Sequence, residues 1–319
     1  MQKPLVSIII TTYKRSDLLP RAIDSALSQT YKNIEVIVVD DNDPDTDYRK
    51  NTEKLISCRY HDVRNLRYIK MDKNSGSCFA RNKGVAECKG EYINFLDDDD
   101  ELLSEKIEKQ VEVFKTSDTD LSAVGCYCEI VDDNGRIINI EKPSIRGNVF
   151  FEQLCCNITS TSLSLIKKEV YVASGGFEKM HSSQEHFMYS KLYSVNPNFD
   201  YVPEVLVRMY HHSGERISTN KNKPLGAIEL KEKIKTFYDR LTAEQIAKVE
   251  ACMNENIIYA YLNCNDRNNA RVYYGEIKRS NSVGLVQKLK LKLMCTIGIK
   301  NYRKLLALHI KRSNRRNNE

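Results

Sequence analysis

Apolar and polar positions follow two alternating patterns over roughly the first third of the chain. Val6–Thr12 and Ile34–Val39 are continuous apolar, largely β-branched runs, which are typical of strands buried on both faces. Between them, apolar residues from Leu19 to Leu27 recur at helical spacing. The alternation continues with a polar helix at Thr46–Ile56, a strand at Asn65–Met71, a helix at Gly76–Cys88 and a strand at Tyr92–Leu96. This order predicts an α/β fold with a mainly parallel sheet flanked by helices.

The pattern becomes more β-like after Ala123 and almost wholly helical after Leu225. Two strand-like runs flank the turn-forming residues 132–135, which predicts a hairpin. The predicted elements of this middle region are strands at Val124–Val131, Arg136–Ile140, Ser162–Ile166 and Val202–Tyr210, and a helix at Ser182–Tyr193. We therefore expect an α/β domain over residues 1–220 and a helical C-terminal region over residues 221–319.

A run of carboxylates, residues 97–101, directly follows the predicted strand that ends at Leu96. Adjacent like charges repel and raise one another's pKa, and a divalent cation among the oxygens would supply the missing positive charge. Acidic residues also favour helix N-termini, and a helix is predicted over residues 101–110. That alternative explains Asp100 and Glu101, but it leaves Asp97 and Asp98 attached to the strand. The run therefore predicts metal or phosphate chemistry.

Three polar clusters fall at the carboxyl ends of predicted strands. They are Thr11-Thr12-Tyr13, Asp40-Asp41 and Asp97-Asp98-Asp99. Ligands of open α/β sheets bind beyond the carboxyl ends of the strands. We therefore expect the three clusters to converge on one binding site.

Four sequence motifs resemble those of the family 2 glycosyltransferases, which are inverting enzymes of the GT-A fold that use nucleotide-sugar donors. In chain order, the motifs are Val6-Ser7-Ile8-Ile9-Ile10-Thr11-Thr12-Tyr13, Val38-Val39-Asp40-Asp41, Ala80-Arg81-Asn82-Lys83-Gly84 and Phe95-Leu96-Asp97-Asp98-Asp99-Asp100. The resemblance spans about residues 4–212. It implies that residues 1–220 form a GT-A catalytic domain and that residues 221–319 are a helical extension.

The resemblance implies a role for individual residues in binding the nucleotide. Thr11 and Tyr13 would flank the nucleobase, and Asp41 would accept a hydrogen bond from a uracil-like imide. Arg81 would lie near the diphosphate. Asp98 occupies the variable middle position of the acidic motif and is grouped with the nucleotide-binding residues.

The resemblance also implies a metal site for Mn²⁺ or Mg²⁺. Asp97 and Asp99 match the first and third positions of the family's DxD motif, and hard oxygen ligands suit these ions. Asp99 is the expected direct ligand, while Asp97 would share the metal or hold the ribose. His212 is a further candidate ligand, and the alternative is that it is one of two solvent-facing histidines at a strand end.

The expected catalytic base is Glu185. It follows Gly175-Gly176-Phe177, which is similar to a stretch of the family, and it stands where the family usually has Asp. A carboxylate here could take the proton of the acceptor hydroxyl. Two alternatives stay open, namely that Glu185 is an exposed helix residue or that His186 is the base.

The bulk composition is that of an ordinary globular protein, with 41% hydrophobic and 29% charged residues. We expect a cytoplasmic protein with reduced thiols, because no export signal or long apolar run is apparent. Residues 285–319 carry ten basic residues and one acid, Glu319. This amphipathic tail predicts peripheral contact with the inner face of a membrane, the alternative being a helix packed on the catalytic domain. Nucleic acid is not expected, because Tyr302 is the tail's only aromatic residue.

The sequence thus predicts transfer of a sugar from a UDP-sugar to a glycan or lipid-linked acceptor in surface polysaccharide synthesis. One alternative is a sugar nucleotidyltransferase, although the segment from Thr11 to Arg15 lacks the glycines of such enzymes. The other is a non-catalytic scaffold that binds glycans or membranes. The retained Asp97, Asp99 and Glu185 argue against that scaffold.

Overall fold

The computed structural model describes residues 3–132, 134–211 and 222–306. The chain divides into two compact units. Among the described residues, the first unit comprises residues 3–132, 134–153, 157–179 and 184–211, and the second comprises residues 154–156, 180–183 and 222–306. The expected boundary between residues 220 and 221 lies outside the described residues, so it stays a proposal.

The described residues form ten strands and eleven α-helices. The strands are β1 Val6–Thr12, β2 Ile34–Asp40, β3 Leu66–Lys70, β4 Tyr92–Asp97, β5 Glu101–Leu102, β6 Ala123–Val131, β7 Ile137–Glu141, β8 Gly147–Asn148, β9 Leu165–Lys167 and β10 Asn198–Tyr210. The helices are α1 Leu19–Leu27, α2 Asp47–Arg59, α3 Ser77–Glu87, α4 Lys106–Thr116, α5 Phe150–Cys155, α6 Lys168–Ala173, α7 Gln184–Val195, α8 Lys223–Ile234, α9 Ala243–Asn263, α10 Arg267–Arg279 and α11 Leu285–Ile297. A 3₁₀ turn, Lys235–Arg240, follows α8.

The ten strands of the described residues lie in one mixed sheet of the first unit. Its order is β3-β2-β1-β4-β9-β6-β10-β5, with β7 on β6 and β8 on β10. Strands β1 to β4 are parallel, as the strand–helix alternation predicts. Strand β9 runs antiparallel to both β4 and β6, so the sheet becomes mixed beyond β4. The predicted α/β class with flanking helices is confirmed.

Burial explains the continuous apolar runs of the first strands. All seven residues of β2 are buried, and only Thr11 of β1 reaches solvent. On one face of the sheet, Ile8 and Ile10 pack in a cluster that includes Leu19 and Ile23 of α1. On α3, a side chain at Gly84 would clash with Ile9, so glycine permits close packing of this helix on β1. This close approach sets the position of α3 beside the strand ends.

The helix predicted over residues 101–110 is wrong at its start. Glu101 and Leu102 form the short strand β5, and α4 begins only at Lys106. Glu101 pairs with Arg208 of β10 in an antiparallel register, and it accepts a hydrogen bond from the Tyr210 hydroxyl at 2.9 Å. Pairing with a strand that lies a hundred residues later overrides the local helical pattern.

The second unit is built mainly from α8 to α11. Helix α9 begins with a capping box, in which Thr242 and Gln245 satisfy each other's backbone N–H groups. A buried cluster joins α9, α10 and α11, with members Ala251, Ile258, Leu262, Ala270, Ile277, Leu291, Met294, Cys295 and Ile299. The expected helical extension is thus confirmed. Within the described part of the chain, no helix combines the length and apolar character needed to cross a membrane.

Candidate active site

The carboxyl ends of β1, β2 and β4 bring the predicted polar clusters together. Thr12 is the register partner of Asp40, and Thr11 is the register partner of Asp97. The expected convergence at one edge of the sheet is therefore found in the structure.

Asp40 and Asp41 shape the turn after β2. Asp40 is fully buried, and it accepts a hydrogen bond from the Tyr68 hydroxyl and pairs with Arg49 at 3.2 Å. Asp41 accepts the backbone N–H groups of Ser75 and Gly76, each at 2.8 Å, through its two carboxylate oxygens. Burial raises the pKa of Asp41, and these two N–H groups oppose the rise. Asp41 therefore fixes the loop that leads into α3.

Arg81 connects α3 to the end of β4. Its Nη2 donates to Asp97 Oδ1 at 2.7 Å, and its guanidinium lies 5.1 Å from the ring of Phe177. Burial disfavours the charge of Arg81, but the carboxylates of Asp97 and Glu185 outweigh this effect and keep its pKa above the usual value. The buried Nε of Arg81 has no hydrogen-bond partner among the described residues.

Asn82, the next residue, links two motifs that are far apart in the sequence. Its Nδ2 donates to the carbonyl of Phe177 at 2.8 Å, and its Oδ1 accepts the N–H of Phe177 at 3.0 Å. Gly176 adopts a φ of 64°, and a side chain there would press on Asn82 Oδ1. The glycine pair before Phe177 therefore allows this segment to dock on α3. Asn82 lies within one of the four motifs, but no role was predicted for it from the sequence.

Asp98 points into the protein. Its carboxylate accepts a hydrogen bond from Thr12 Oγ1 at 2.7 Å and from Arg15 Nη1 at 3.2 Å. Burial raises the pKa of Asp98 to about 7, and the bond from Thr12 opposes the rise. Asp98 therefore ties β1 and the following loop to the end of β4.

The carboxylates of Asp97, Asp99 and Asp100 form the candidate metal centre. One oxygen from each lies within 4.8 Å of the others, and among the described residues these three are the group suited to hold an ion. Three anionic oxygens at this spacing fit a hard divalent cation such as Mg²⁺ or Mn²⁺. Arg15 Nη1 also contacts Asp99, at 2.6 Å from Oδ2. Asp97 and Asp99 were predicted from the sequence to lie at a metal site, whereas Asp100 and Arg15 were not.

The prediction that Asp100 lies at the start of the next helix is wrong. Its carboxylate is buried and accepts a hydrogen bond from Ser162 Oγ at 3.3 Å. Burial first, and then the charges of Asp97 and Asp99, raise its pKa well above the usual value. Since α4 begins six residues later, Asp100 cannot cap that helix.

Glu185 lies in the first turn of α7 and is partly accessible to solvent. Its Oε1 accepts hydrogen bonds from the hydroxyl and the backbone N–H of Thr161. Burial raises the pKa of Glu185, while the charge of Arg81 lowers it and that of Asp97 adds to the rise. Glu185 thus belongs to the same electrostatic cluster as Arg81 and Asp97.

His186 is turned into the protein interior. Its Nε2 lies 2.6 Å from the carbonyl oxygen of Gln153, so this nitrogen carries the proton and donates it. Burial lowers the pKa of His186 to about 4, and the ring is neutral near pH 7. Near pH 7, His186 therefore holds its one proton in a buried hydrogen bond to a backbone carbonyl.

Tyr13 lies on the exposed loop after β1, where a nucleobase contact was expected. The ammonium group of Lys14 lies 4.9 Å from the Tyr13 ring and 5.3 Å from the Tyr48 ring. Lys14 has a φ of 60°, which is uncommon outside glycine, and its N–H donates to Asn42 at 2.9 Å. Tyr48, on α2, has no sequence signal beyond its aromatic character and was missed. Thr11 is partly exposed at the end of β1.

His212, the third candidate metal ligand, lies outside the described residues. The preceding residue, His211, is exposed, and its N–H donates to the carbonyl of Val131 at 2.7 Å.

Comparison with known proteins identifies the family. Residues 7–173 match the model of Glycosyl transferase family 2. An uncharacterized glycosyltransferase of Rickettsia felis is 31% identical over 256 residues, which cover 77% of this chain and 40% of that protein. Another from Rickettsia typhi is 31% identical over 230 residues, covering 69% of this chain and 68% of that protein. The chain therefore spans well under half of the Rickettsia felis relative.

Solved structures share the fold at low sequence identity. Residues 1–349 of Staphylococcus aureus TarS, in complex with UDP-GlcNAc, match with a TM-score of 0.58 at 14% identity over 91% of each chain. The mannosyltransferase PcManGT from Pyrobaculum calidifontis, in complex with GDP-Man and Mn²⁺, matches with a TM-score of 0.61 at 17% identity, covering 96% of this chain and 84% of that one. The fold is that of the GT-A glycosyltransferases. Within that class, the chain belongs to glycosyl transferase family 2.

Proposed function

We propose that the protein is an inverting, metal-dependent glycosyltransferase that uses a UDP-sugar. The observation that carries this proposal is the grouping of Asp97, Asp99 and Asp100 with Arg81 and Glu185 at the sheet edge. This arrangement combines an anionic site for a cation, a buried guanidinium and a carboxylate base. A metal-assisted transfer from a nucleotide sugar would use these parts in one place.

The nucleotide would bind across the ends of β1 and β2. Thr11 and Tyr13 would flank the nucleobase, and the exposed ring of Tyr48 lies near the same Lys14 ammonium group as the Tyr13 ring. Asp41 would accept the imide N–H of uracil through the lone pairs left free by its two backbone bonds. Bound UDP-GlcNAc and GDP-Man in proteins of the same fold support a nucleotide-sugar donor, and the choice of UDP rests on Asp41.

The diphosphate would lie between the acidic cluster and Arg81. Asp97, Asp99 and Asp100 would hold Mn²⁺ or Mg²⁺, with His212 as a further candidate ligand. A bound ion would neutralise the charge that develops on the departing diphosphate. The unpartnered Nε of Arg81 would donate to a phosphate oxygen. Asp97 would also approach the ribose. Asp98 would contribute to nucleotide binding indirectly, by holding Thr12 and Arg15 in position through its hydrogen bonds.

Glu185 would act as the catalytic base in a single displacement. The acceptor hydroxyl oxygen attacks the anomeric carbon, its proton passes to Glu185, and the bond to the diphosphate breaks with inversion. Both hydrogen bonds from Thr161 end on Oε1, so Oε2 accepts none from the described residues and remains available for the proton. His186 already donates to a carbonyl and has a low pKa, which argues against it as the base.

The acceptor would be a glycan or lipid-linked sugar in surface polysaccharide synthesis. We also propose residues 1–220 as the catalytic domain, and a cytoplasmic location in which residues 285–319 contact the inner face of a membrane. These parts rest on the family resemblance and on the basic composition of the tail.

The full chain should be tested against a panel of nucleotide sugars with Mn²⁺, monitoring release of the nucleoside diphosphate. We expect one or a few UDP-sugars to be turned over and EDTA to stop the reaction. Pyrophosphate release from a sugar phosphate and a nucleoside triphosphate would indicate a nucleotidyltransferase instead. Failure to bind any nucleotide sugar would indicate a non-catalytic scaffold.

Glu185→Gln should lower turnover by about 10²- to 10⁴-fold, because the amide cannot accept the proton. The affinity for UDP should stay within about twofold of the wild type, since the base contributes to proton transfer rather than to nucleotide binding. Glu185→Asp should retain part of the rate, because it keeps a carboxylate. Glu244→Gln, an exposed position on α9, is the matched control. Undiminished turnover of Glu185→Gln would eliminate this assignment.

A further inference from the structure

Helix α11 presents an apolar stripe to solvent. Leu285, Val286, Leu289 and Leu293 are exposed by 72%, 82%, 56% and 43%. At about 100° per residue, these four positions fall within a sector of about 100°. Apolar patches of this kind, rimmed by polar residues, mark interaction sites on soluble proteins.

The opposite face of α11 is already packed. Leu291, Met294 and Cys295 are buried in the cluster that α11 shares with α9 and α10. The helix is therefore held in place within the second unit by these contacts. Its outer stripe is not needed for that packing and is available to a partner.

Lysines flank the stripe on both sides. By helical spacing, Lys288 and Lys292 lie along one border and Lys290 along the other. Helix α11 contains no acidic residue, and Lys300, Arg303 and Lys304 follow it closely. An apolar sector bordered by cations is the pattern of helices that lie in the interface of an anionic membrane.

Resting on the membrane contact proposed above for residues 285–319, we propose that the α11 stripe is the docking surface itself and inserts into the headgroup region of an anionic lipid bilayer. The helix has 13 residues, or a length of about 20 Å, which is too short to span the hydrocarbon core of about 30 Å. It therefore lies in the plane of the surface, with its leucines directed toward the acyl chains. The lysines then meet the lipid phosphates on both borders.

A second copy of the chain is a poorer occupant of this stripe. Pairing two α11 helices along their stripes would bring the flanking lysines of both copies together. No acidic residue of the helix could neutralise them. An anionic surface supplies the complementary charge that a second copy lacks.

Flotation of the purified full chain with lipid vesicles tests this surface. Wild type should bind phosphatidylcholine vesicles that contain phosphatidylglycerol, and it should dissociate at high salt. Leu289→Gln combined with Leu293→Gln should weaken binding at least about tenfold. Lys288→Gln combined with Lys292→Gln should weaken it about tenfold at low salt. Val272→Gln, an exposed position on α10, should change nothing and is the matched control.

Three lipid-binding results would overturn the proposal. They are equal binding to vesicles of phosphatidylcholine alone, unchanged binding by either double variant, and absence of vesicle binding. Light scattering without lipid supplies a further check, because a dimer that the leucine double variant dissociates would assign the stripe to a second copy. UDP affinity measured without vesicles should be the same in every variant, so failure here is distinguishable from failure of the proposed catalytic function.

Discussion

Four of the five carboxylates of the acidic run pair with arginines. Asp97 pairs with Arg81, whereas Asp98 and Asp99 share Arg15, and Glu101 contacts Arg208. The charge repulsion inferred from the sequence is therefore partly offset by arginines from distant segments. Asp100 has no such cationic partner among the described residues, so a bound ion would relieve its repulsion most directly.

Arg15 occupies the place of a counter-ion beside the candidate metal centre. Its Nη1 lies 2.6 Å from Asp99 Oδ2, so a divalent cation on this oxygen would meet the guanidinium charge. Arg15→Gln should therefore raise the affinity for Mn²⁺ in the absence of nucleotide, by roughly fivefold for a repulsion of about 1 kcal/mol. Isothermal titration calorimetry measures this change, with the exposed Arg64→Gln as the control. Weaker binding would mean that Arg15 organises the carboxylates rather than competing with the ion.

The clustering of polar residues at the strand ends could be predicted, because each strand and its end are marked by neighbouring residues in the sequence. Buried parallel strands produce continuous apolar runs, and polar residues that end such runs must lie at one edge. The contacts between Asn82 and Phe177, or between Arg15 and Asp99, join segments far apart in the chain and carry no local pattern. The same reason explains the error at Glu101, whose strand pairing depends on Arg208.

Asp41 holds the N-terminal loop of α3 through both carboxylate oxygens. In Asp41→Asn, one backbone N–H would face an amide N–H instead of an acceptor. We expect a loss of about 2 kcal/mol in the free energy of unfolding, which urea denaturation measures. Asp43→Asn is the matched control, because exposed Asp43 accepts a single N–H, from Asn74, at 2.8 Å. Similar losses for both variants would contradict a special role for Asp41 in holding this loop.

Helix α4 begins with a fully buried lysine. Lys106 donates to Gln110 Oε1 at 2.8 Å, and burial lowers its pKa to about 8 from the ordinary value of 10.5. Below pH 8 the Lys106 amine is protonated in both the folded and the unfolded state, so the folded state carries the whole cost of the buried charge. Between pH 8 and 10.5 the unfolded state holds more protons, and the stability of the wild type rises with pH.

Lys106→Met should therefore stabilise the protein by about 2 kcal/mol at pH 7, after allowance for the lost hydrogen bond. This advantage should shrink steadily above pH 8 and vanish near pH 10.5. Urea denaturation at several pH values across this range measures the difference in the free energy of unfolding between the variant and the wild type. Lys115→Met, an exposed position on the same helix, should show no such pH dependence. An advantage that grows with pH would contradict the lowered pKa.

The division into units follows contacts rather than chain order. Residues 180–183 come from the middle of the chain, yet they belong to the unit built from α8 to α11. His181 donates its N–H to Glu229 at 3.0 Å, and Ser182 Oγ donates to the carbonyl of Lys223 at 3.3 Å. This arrangement could not be predicted from the sequence, because composition and periodicity do not indicate which distant segments are in contact.

Close packing of residues 180–183 on α8 depends on Gly226. A methyl group at this position would clash with the backbone of Ser182, which cannot yield as a flexible side chain would. Gly226→Ala should therefore lower the free energy of unfolding by about 1–3 kcal/mol, as overpacking does. Gly275→Ala on α10 meets no atom within 4 Å and should instead stabilise the chain by about 0.5–1 kcal/mol through helix propensity. The two substitutions are chemically identical and both lie in helices. Changes of opposite sign in the free energy of unfolding, measured by urea denaturation, would therefore isolate the contribution of the packing contact. Stabilisation by both substitutions would show that residues 180–183 do not pack against α8.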